Sequence, residues 1–456
     1  MDSNLTSRRS FLTLALAGAG AGLLSACGGT SGPSAAGTGG AAASAGAGGG
    51  AATGTASYWY LTGQPGEGIR TNTVKRFNTA NPTTQIQPTT FQNDAYKTKI
   101  KTAIGAGQAP TVIWGWGGGG LKSYVDAGQV EDLTSYFSEN PAVKSRLFPS
   151  SFGAATVGGK VYALPCETVQ PIVLYYNKTL FDKIGAKPPQ TWGDIMDLVP
   201  KFNAKGIAPF SLGGQSRWTN MMWLEFLFDR IGGGEVFQAV FNGEKNAWSN
   251  PLAIQALTQM QTLIKANGFI KGFSSITADS NADQALLYTG KAAMMLHGSW
   301  TYGSMSTDGG DFVSGGHLGY MNFPPVDGGK GDPTDTVGNP GQYLSISSKA
   351  TADQKAIAKK FFTTAVLSDA ENKEWVASGS IPIVNGTDKL LAGSKDAEWL
   401  KFIYGVSSNA KTFAQSWDQA LSPTAAETLL DNIAKLFQLS VSPQQFADNL
   451  NKVIGT

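Results

Sequence analysis

Residues 111–128 read TVIWGWGGGGLKSYVDAG. Val112, Ile113 and Trp114 form an apolar, strand-like run that falls into glycines, and LKSYVDAG continues as a helix. Such a strand, glycine turn and helix is how a nucleotide-binding phosphate loop begins. That loop needs G-x-x-x-x-G-K-[ST], with backbone N–H groups around the phosphates and the lysine directly after the second glycine. Gly115 and Gly120 have the right separation, but Leu121 stands before Lys122 and Ser123. The one-residue slip turns the lysine and serine away from where phosphate and magnesium would sit. What remains is a loop, or a run of glycines that lets backbone approach a ligand beside Trp114 and Trp116.

The same alternation extends on both sides. SYWYL (57–61) is an aromatic strand, 68–80 a helix with Ile69, Val74 and Phe77 on one side, and QIQPTTF a second strand ending at Phe91. A further helix, capped by Asn93 or Asp94, carries Tyr96, Ile100 and Ile104 at i, i+4 and i+8. Strands alternating with helices predict an α/β layer with a mostly parallel sheet. Ligands of such sheets bind at the carboxyl ends of the strands. Gln64, then Gln92 and Asn93, then Trp114 and Trp116 follow the first three strands, which makes them candidate contacts.

Composition narrows the class. The 456 residues suffice for two or three domains, the formal net charge is +2, and no stretch concentrates Lys and Arg, which argues against nucleic acid as a partner. Two cysteines and two histidines, widely spaced, exclude a disulfide framework and a zinc cluster; neither a catalytic triad, a cofactor nor a metal is expected. Cys166 reads as a buried apolar residue rather than a nucleophile.

The N-terminal segment reads as an address and a tether. Arg8 and Arg9 form a twin-arginine pair, an uncharged apolar run follows to Ala26, and Leu24-Ser25-Ala26-Cys27 resembles a bacterial lipobox. Residues 1–26 are therefore expected to be a twin-arginine signal peptide, with Cys27 lipidated as the first mature residue and holding the chain to the membrane. Residues 27–56 are almost all Gly, Ala, Ser and Thr, a linker whose random-coil span is on the order of 30 Å. The folded body is expected from Ser57.

Three stretches, LPCETVQPIVLYYNKTLFDKIGAKPPQTWGDI (164–195), KAAMMLHGSW (291–300) and LSISSKATADQKAIAKKFFTTAVLSDAENKEW (344–375), resemble the maltose-binding-like extracellular sugar-binding lipoproteins of ABC importers, of an actinobacterial type. The resemblance covers about residues 57–456. It implies a two-lobed α/β fold of the type II periplasmic-binding-protein kind, with lobe one at 57–167 and 340–378, lobe two at 170–337 and 381–456, and crossings near 166–171, 336–342 and 377–383. It also implies an extracytoplasmic, lipid-anchored, monomeric receptor that is not an enzyme, binding an oligosaccharide in the cleft and delivering it to ABC permease subunits. Trp300 carries over from the Gly-x-Trp turn, and Glu167 and Gln170 from the crossing strand. Trp417 and Asp418 precede the C-terminal helices, a usual contact region.

The expected stacking platforms are thus Trp114, Trp116, Trp218, Trp300 and Trp417. The expected hydroxyl readers are Gln64, Gln92, Asn93, Glu167, Gln170, Arg217 and Asp418. Trp59, Trp192, Trp223, Trp248, Trp375 and Trp399 read as structural. The number of platforms favours two to four sugar rings and a β-linked xylo- or cello-oligosaccharide, with α-galactosides, chitobiose and maltose left open. The alternatives are an exported carbohydrate-active enzyme and a receptor for a non-sugar solute.

Overall fold

A computed structural model describes residues 53–455. The expected signal segment, Cys27 and all but the end of the expected linker lie outside the described residues. Strand β1 (Gly54–Leu61) begins three residues before the expected start, because Gly54 already pairs with Thr84 and Ala56 is fully buried. Helix α1 (Gly66–Ala80), β2 (Thr84–Phe91), α2 (Asn93–Gly105), β3 (Val112–Gly115) and α3 (Gly118–Asp126) follow. The alternation read from the sequence is the alternation observed. A small hairpin, β4 (Thr156–Val157) and β5 (Lys160–Val161), leads to β6 (Leu164–Cys166) and the long β7 (Thr168–Asn177).

The remaining strands are β8 (Ala208–Phe210), β9 (Ala292–Gly298), β10 (Leu318–Met321), β11 (Thr336–Asn339), β12 (Gln342–Ile346), β13 (Ile381–Pro382) and β14 (Phe413–Gln415). The first sheet has the order β2-β1-β3-β12-β6. Its first three strands are parallel, and β12 runs antiparallel between β3 and β6. The second has the order β14-β11-β7-β9-β8, with β10 and β13 also on β7. The molecule is a two-lobed α/β fold, each lobe built on one sheet. One apolar core surrounds the first sheet and reaches Trp399, Leu400 and Ile403 of the helix Ala397–Asn409; a second fills the other lobe around Trp223, Trp248 and Phe446.

Local chemistry explains the motifs after β7. Asn177 caps the helix Lys178–Ile184 by accepting from the Leu180 N–H at 3.2 Å, and Gly185 ends it in the left-handed region at φ 63°. Thr191 and Asp194 then form a reciprocal capping box at the start of the helix Trp192–Asn203. YYNK and G-x-x-x-P-x-T-W are therefore one helix with its two stops and the cap of the next.

The chain passes between sheets at Glu167, the single residue between β6 and β7, which holds φ at 61°. It returns at Pro340-Gly341, between β11 and β12. A non-glycine residue in this region costs on the order of 1–3 kcal/mol and needs its surroundings to fix it. Here Arg70 of α1 donates from Nε and Nη2 to both carboxylate oxygens of Glu167, each at 2.7 Å, and Trp114 Nε1 donates to the same Oε1 at 2.7 Å. All three residues are buried. Glu167 is therefore not a reader of ligand hydroxyls, as the sequence suggested: both oxygens are consumed inside the joint. Breaking a buried, hydrogen-bonded pair from one side typically costs about 3–5 kcal/mol. Arg70→Met should lower the unfolding free energy by that order in chemical denaturation, and the double variant Arg70→Met/Glu167→Met should be less destabilised than the single one.

Beside this joint lies Glu371, also buried, whose carboxyl accepts from the Leu367 N–H and Trp375 Nε1. Burial pushes it up to about 7, and the nearby Glu167 adds to the shift. Cys166, likewise buried, is pushed up by desolvation, consistent with a packing residue. For Glu371 the unfolded chain has lost its proton by about pH 5 while the folded one keeps it to about 7. The associated stability is present below the unfolded value and is lost as pH rises to about 7, by roughly 3 kcal/mol. The difference in unfolding free energy between wild type and Glu371→Gln, measured from pH 4.5 to 8, should change by this amount and level off above pH 7.5.

Candidate ligand-binding cleft

Between the facing ends of the two sheets lies a cavity of about 240 Å³. From the first lobe it is walled by Gln64 after β1, by Gln92 and Asn93 after β2, and by Trp114 and Trp116 at the end of β3. The second lobe supplies Trp218, Trp300 and Asp418, and Gln170 enters from β7. All five residues picked by the strand-end rule thus lie on the cavity wall.

The tryptophans have unequal roles. Trp116 is half-buried and stands edge to face against Trp114 at 4.7 Å, with the Lys97 ammonium 5.1 Å from its ring centre. Trp114 is only 2% exposed, with Arg70 against its ring, so it forms the floor under Trp116 and not an open platform. Trp218 and Trp300, both half-buried, lie 6.2 Å apart, and each packs edge-on against the buried His297 at 5.4 Å. The Trp300 ring folds back over Gly298, where a Cβ would come within 1.8 Å of it. The Gly-x-Trp turn is therefore a glycine that clears space for a ring.

Besides Glu167, two expected contacts lie elsewhere. Trp417 is fully buried, stacked on Phe237 at 4.6 Å and edge-on to Phe228 and Trp248. Successive helical residues diverge by about 100°; the short helix Trp417–Ala420 can turn Asp418 to the cavity only by sending Trp417 into the core. Arg217 turns outward and pairs with Glu427 at 2.9 Å and Asp431 at 2.6 Å on the helix Pro423–Phe437. Gln170 lines the cavity with its amide engaged, accepting from Asn339 and Gln342 and donating to Thr168.

Several wall residues carried no sequence signal. Asp279, Asn281 and Gln284 come from the polar stretch before β9. Asn339 and Gln342 flank the second sheet crossing and reach the wall beside Gln170 through long-range packing. Trp375, read as structural, is 4% exposed yet reaches the cavity wall. Asn339 Oδ1 is buried without a hydrogen-bond partner and so is available to a donor from a ligand.

Contacts also join the lobes across the cleft. The expected cap of α2 is replaced by Gln92 in extended conformation, and Asp94 is used otherwise. Its backbone N–H donates to Asp279 Oδ2 at 2.9 Å, and its carboxylate accepts from Trp218 Nε1 at 3.2 Å. Burial, together with the opposing Asp94 charge, raises the Asp279 carboxyl. Lys97 pairs with Asp418 at 2.8 Å. Rings with open faces, neutral amides and a few charged groups engaged by neighbouring protein groups can hold a flat, uncharged, hydroxyl-rich molecule.

The glycines of 117–119 have a use that the sequence did not give. Gly117 and Gly118 hold positive φ, at 74° and 60°. A Cβ on Gly119 would sit 2.1 Å from the Leu421 carbonyl, and one on Gly118 2.7 Å from that of Gln419. Gly118 and Gly119 bring backbone against the second lobe, and Gly117 packs against Ala154 of the first.

Residues 62–373 match the family of bacterial extracellular solute-binding proteins. That is more than half of the chain, and the chain belongs to this family, whose members are receptors. A probable sugar-binding periplasmic protein of Mesorhizobium japonicum is 29% identical over 321 residues, 68% of this chain and 71% of the relative. Further relatives are matched over about half of their own length. Among solved structures, one from work on xylan utilisation by Caldanaerobius polysaccharolyticus is 31% identical, covers 88% of this chain and 100% of its own, and superposes with a TM-score of 0.79. A chitin oligosaccharide binding protein, at 23% identity, shares the fold at a TM-score of 0.79 over 88% of this chain and 98% of its own.

Gly119→Val should hold the lobes apart at the Leu421 contact. Small-angle scattering should then show a larger radius of gyration than for wild type under the same conditions, with the thermal midpoint lowered by only a few degrees.

Proposed function

We propose that the protein is an extracytoplasmic receptor that binds a short oligosaccharide between its lobes and delivers it to the permease of an ABC importer. The observation that carries this reading is the convergence of Trp116, Trp218 and Trp300 with neutral amides on one cavity. A sugar ring has a C–H-rich face that stacks on aromatic rings and a rim of hydroxyls that amides read. A site built for hydroxyls also rejects molecules without them, because its polar groups would be left unpaired. The names of the similar proteins, among them a multiple sugar-binding protein of Streptococcus mutans, support the class. A xylo-oligosaccharide of two to four rings is the favoured ligand, supported by the likeness to the protein from xylan-utilisation work.

Lobe one comprises 54–167 with 340–378 and lobe two 170–337 with 381–456. The crossings act as a hinge, so that the ligand is enclosed by rotation of one lobe on the other. Gln64, Gln92, Asn93, Gln170 and Asp418 line the edge where hydroxyls are read. Cys27 carries the lipid anchor, the linker that runs from it to β1 spaces the receptor from the membrane, and the receptor works as a monomer without catalysis.

Tryptophan fluorescence titrated with xylo-, cello-, chito- and malto-oligosaccharides tests this. One series should give saturable binding, and no product should appear on incubation. Trp300→Ala should weaken that binding at least 30-fold, the scale of a hot-spot residue worth about 2 kcal/mol or more, with a thermal midpoint within a few degrees of wild type. Silence towards every series, or release of shorter sugars, would overturn the reading.

A further inference from the structure

A second cavity, of about 90 Å³, opens beside the first and shares with it Lys97, Trp114, Trp116, Asp418 and Gln419. It runs between α2 and α3, where Ile100, Leu121 and Tyr124 form its sides and Tyr343 its base. Its volume is several times what one water needs. Two glycines help to make it. Gly115 and Gly120 line this cavity and not the main cleft, neither has a positive φ, and a Cβ on either would meet nothing within 4 Å. Backbone conformation and close packing explain Gly117, Gly118 and Gly119; neither explains Gly115 or Gly120. What their missing side chains leave is space.

The walls are suited to rings and poorly suited to hydroxyls. Tyr96 and Tyr343 spend their O–H groups on the Trp114 and Ser151 carbonyls, at 2.5 and 3.0 Å. The Lys97 ammonium is paired with Asp418 at 2.8 Å. Gln419 Oε1 is a buried acceptor without a partner on this wall, but Ile100, Ile113, Leu121 and aromatic rings make up most of it, so a sugar hydroxyl placed here would lose more water contacts than it gains, which costs free energy. An aromatic ring would instead meet Trp116 and Tyr124, the half-buried rings of the wall, with Tyr96 and Tyr343 packed beneath them.

We infer that this annex is a subsite for an aromatic substituent carried by the bound oligosaccharide, so that the receptor accepts aryl-substituted sugars and prefers them to bare ones. The inference rests on the oligosaccharide reading of the main cleft. Isothermal titration tests it with xylobiose, cellobiose, chitobiose and maltose, each bare, as the 4-nitrophenyl β-glycoside, and as a benzoyl ester on the terminal non-reducing ring.

At least one substituted form should bind wild type ten-fold or more tighter than its bare parent. In Gly115→Leu and Gly120→Leu, whose new side chains occupy the space, that advantage should fall below about two-fold while the bare sugar binds within three-fold of wild type. Bare sugar binding without an aryl advantage, or an advantage that survives in both variants, would overturn the annex alone. Absence of binding by all of these compounds would overturn the sugar reading and the annex with it.

Discussion

The buried contact of Arg70 with Glu167 and Trp114 governs the rest of the structure. Glu167 is the one residue between the last strand of the first sheet and the longest strand of the second, and its backbone lies in a region that side chains other than glycine avoid. Two guanidinium hydrogen bonds and one indole hydrogen bond hold it there. The same contact fixes Trp114, on which Trp116 stands. The sheet crossing and the floor of the cleft are thereby one unit.

The second lobe meets this floor through its own supports. Glu225, buried in the apolar helix Trp218–Gly232, accepts from the Trp417 N–H, and burial raises its carboxyl well above the ordinary range. It anchors the turn that carries Ser416 and Asp418 to the cavity. His297 supports Trp218 and Trp300 in the same way. On each side, an aromatic ring at the cleft rests on a buried polar group, and this gives the rings fixed positions for a ligand to stack against.

Much of the fold was legible because its signals are local. The alternating strands and helices from 57 to 126 depend on neighbours within a few residues. The cleft was legible where a general rule of α/β sheets applied, at the residues that follow β1, β2 and β3. It was illegible at 279–284 and at Asn339 and Gln342, which reach the cavity only through long-range packing.

The sequence by itself determined the two-lobed α/β class and a set of cleft-facing amides and rings, and it ruled out a phosphate loop, since Leu121 stands where the lysine must be. Only the tertiary structure decided which rings are open. Trp417 is buried because the helix turn that exposes Asp418 must hide its neighbour, and Trp114 because Glu167 claims its N–H. The glycine run was divided the same way: 117–119 are required by backbone geometry and contact with the other lobe, while 115 and 120 leave a hole. A sequence records that a side chain is missing, and only packing shows whether the space is filled.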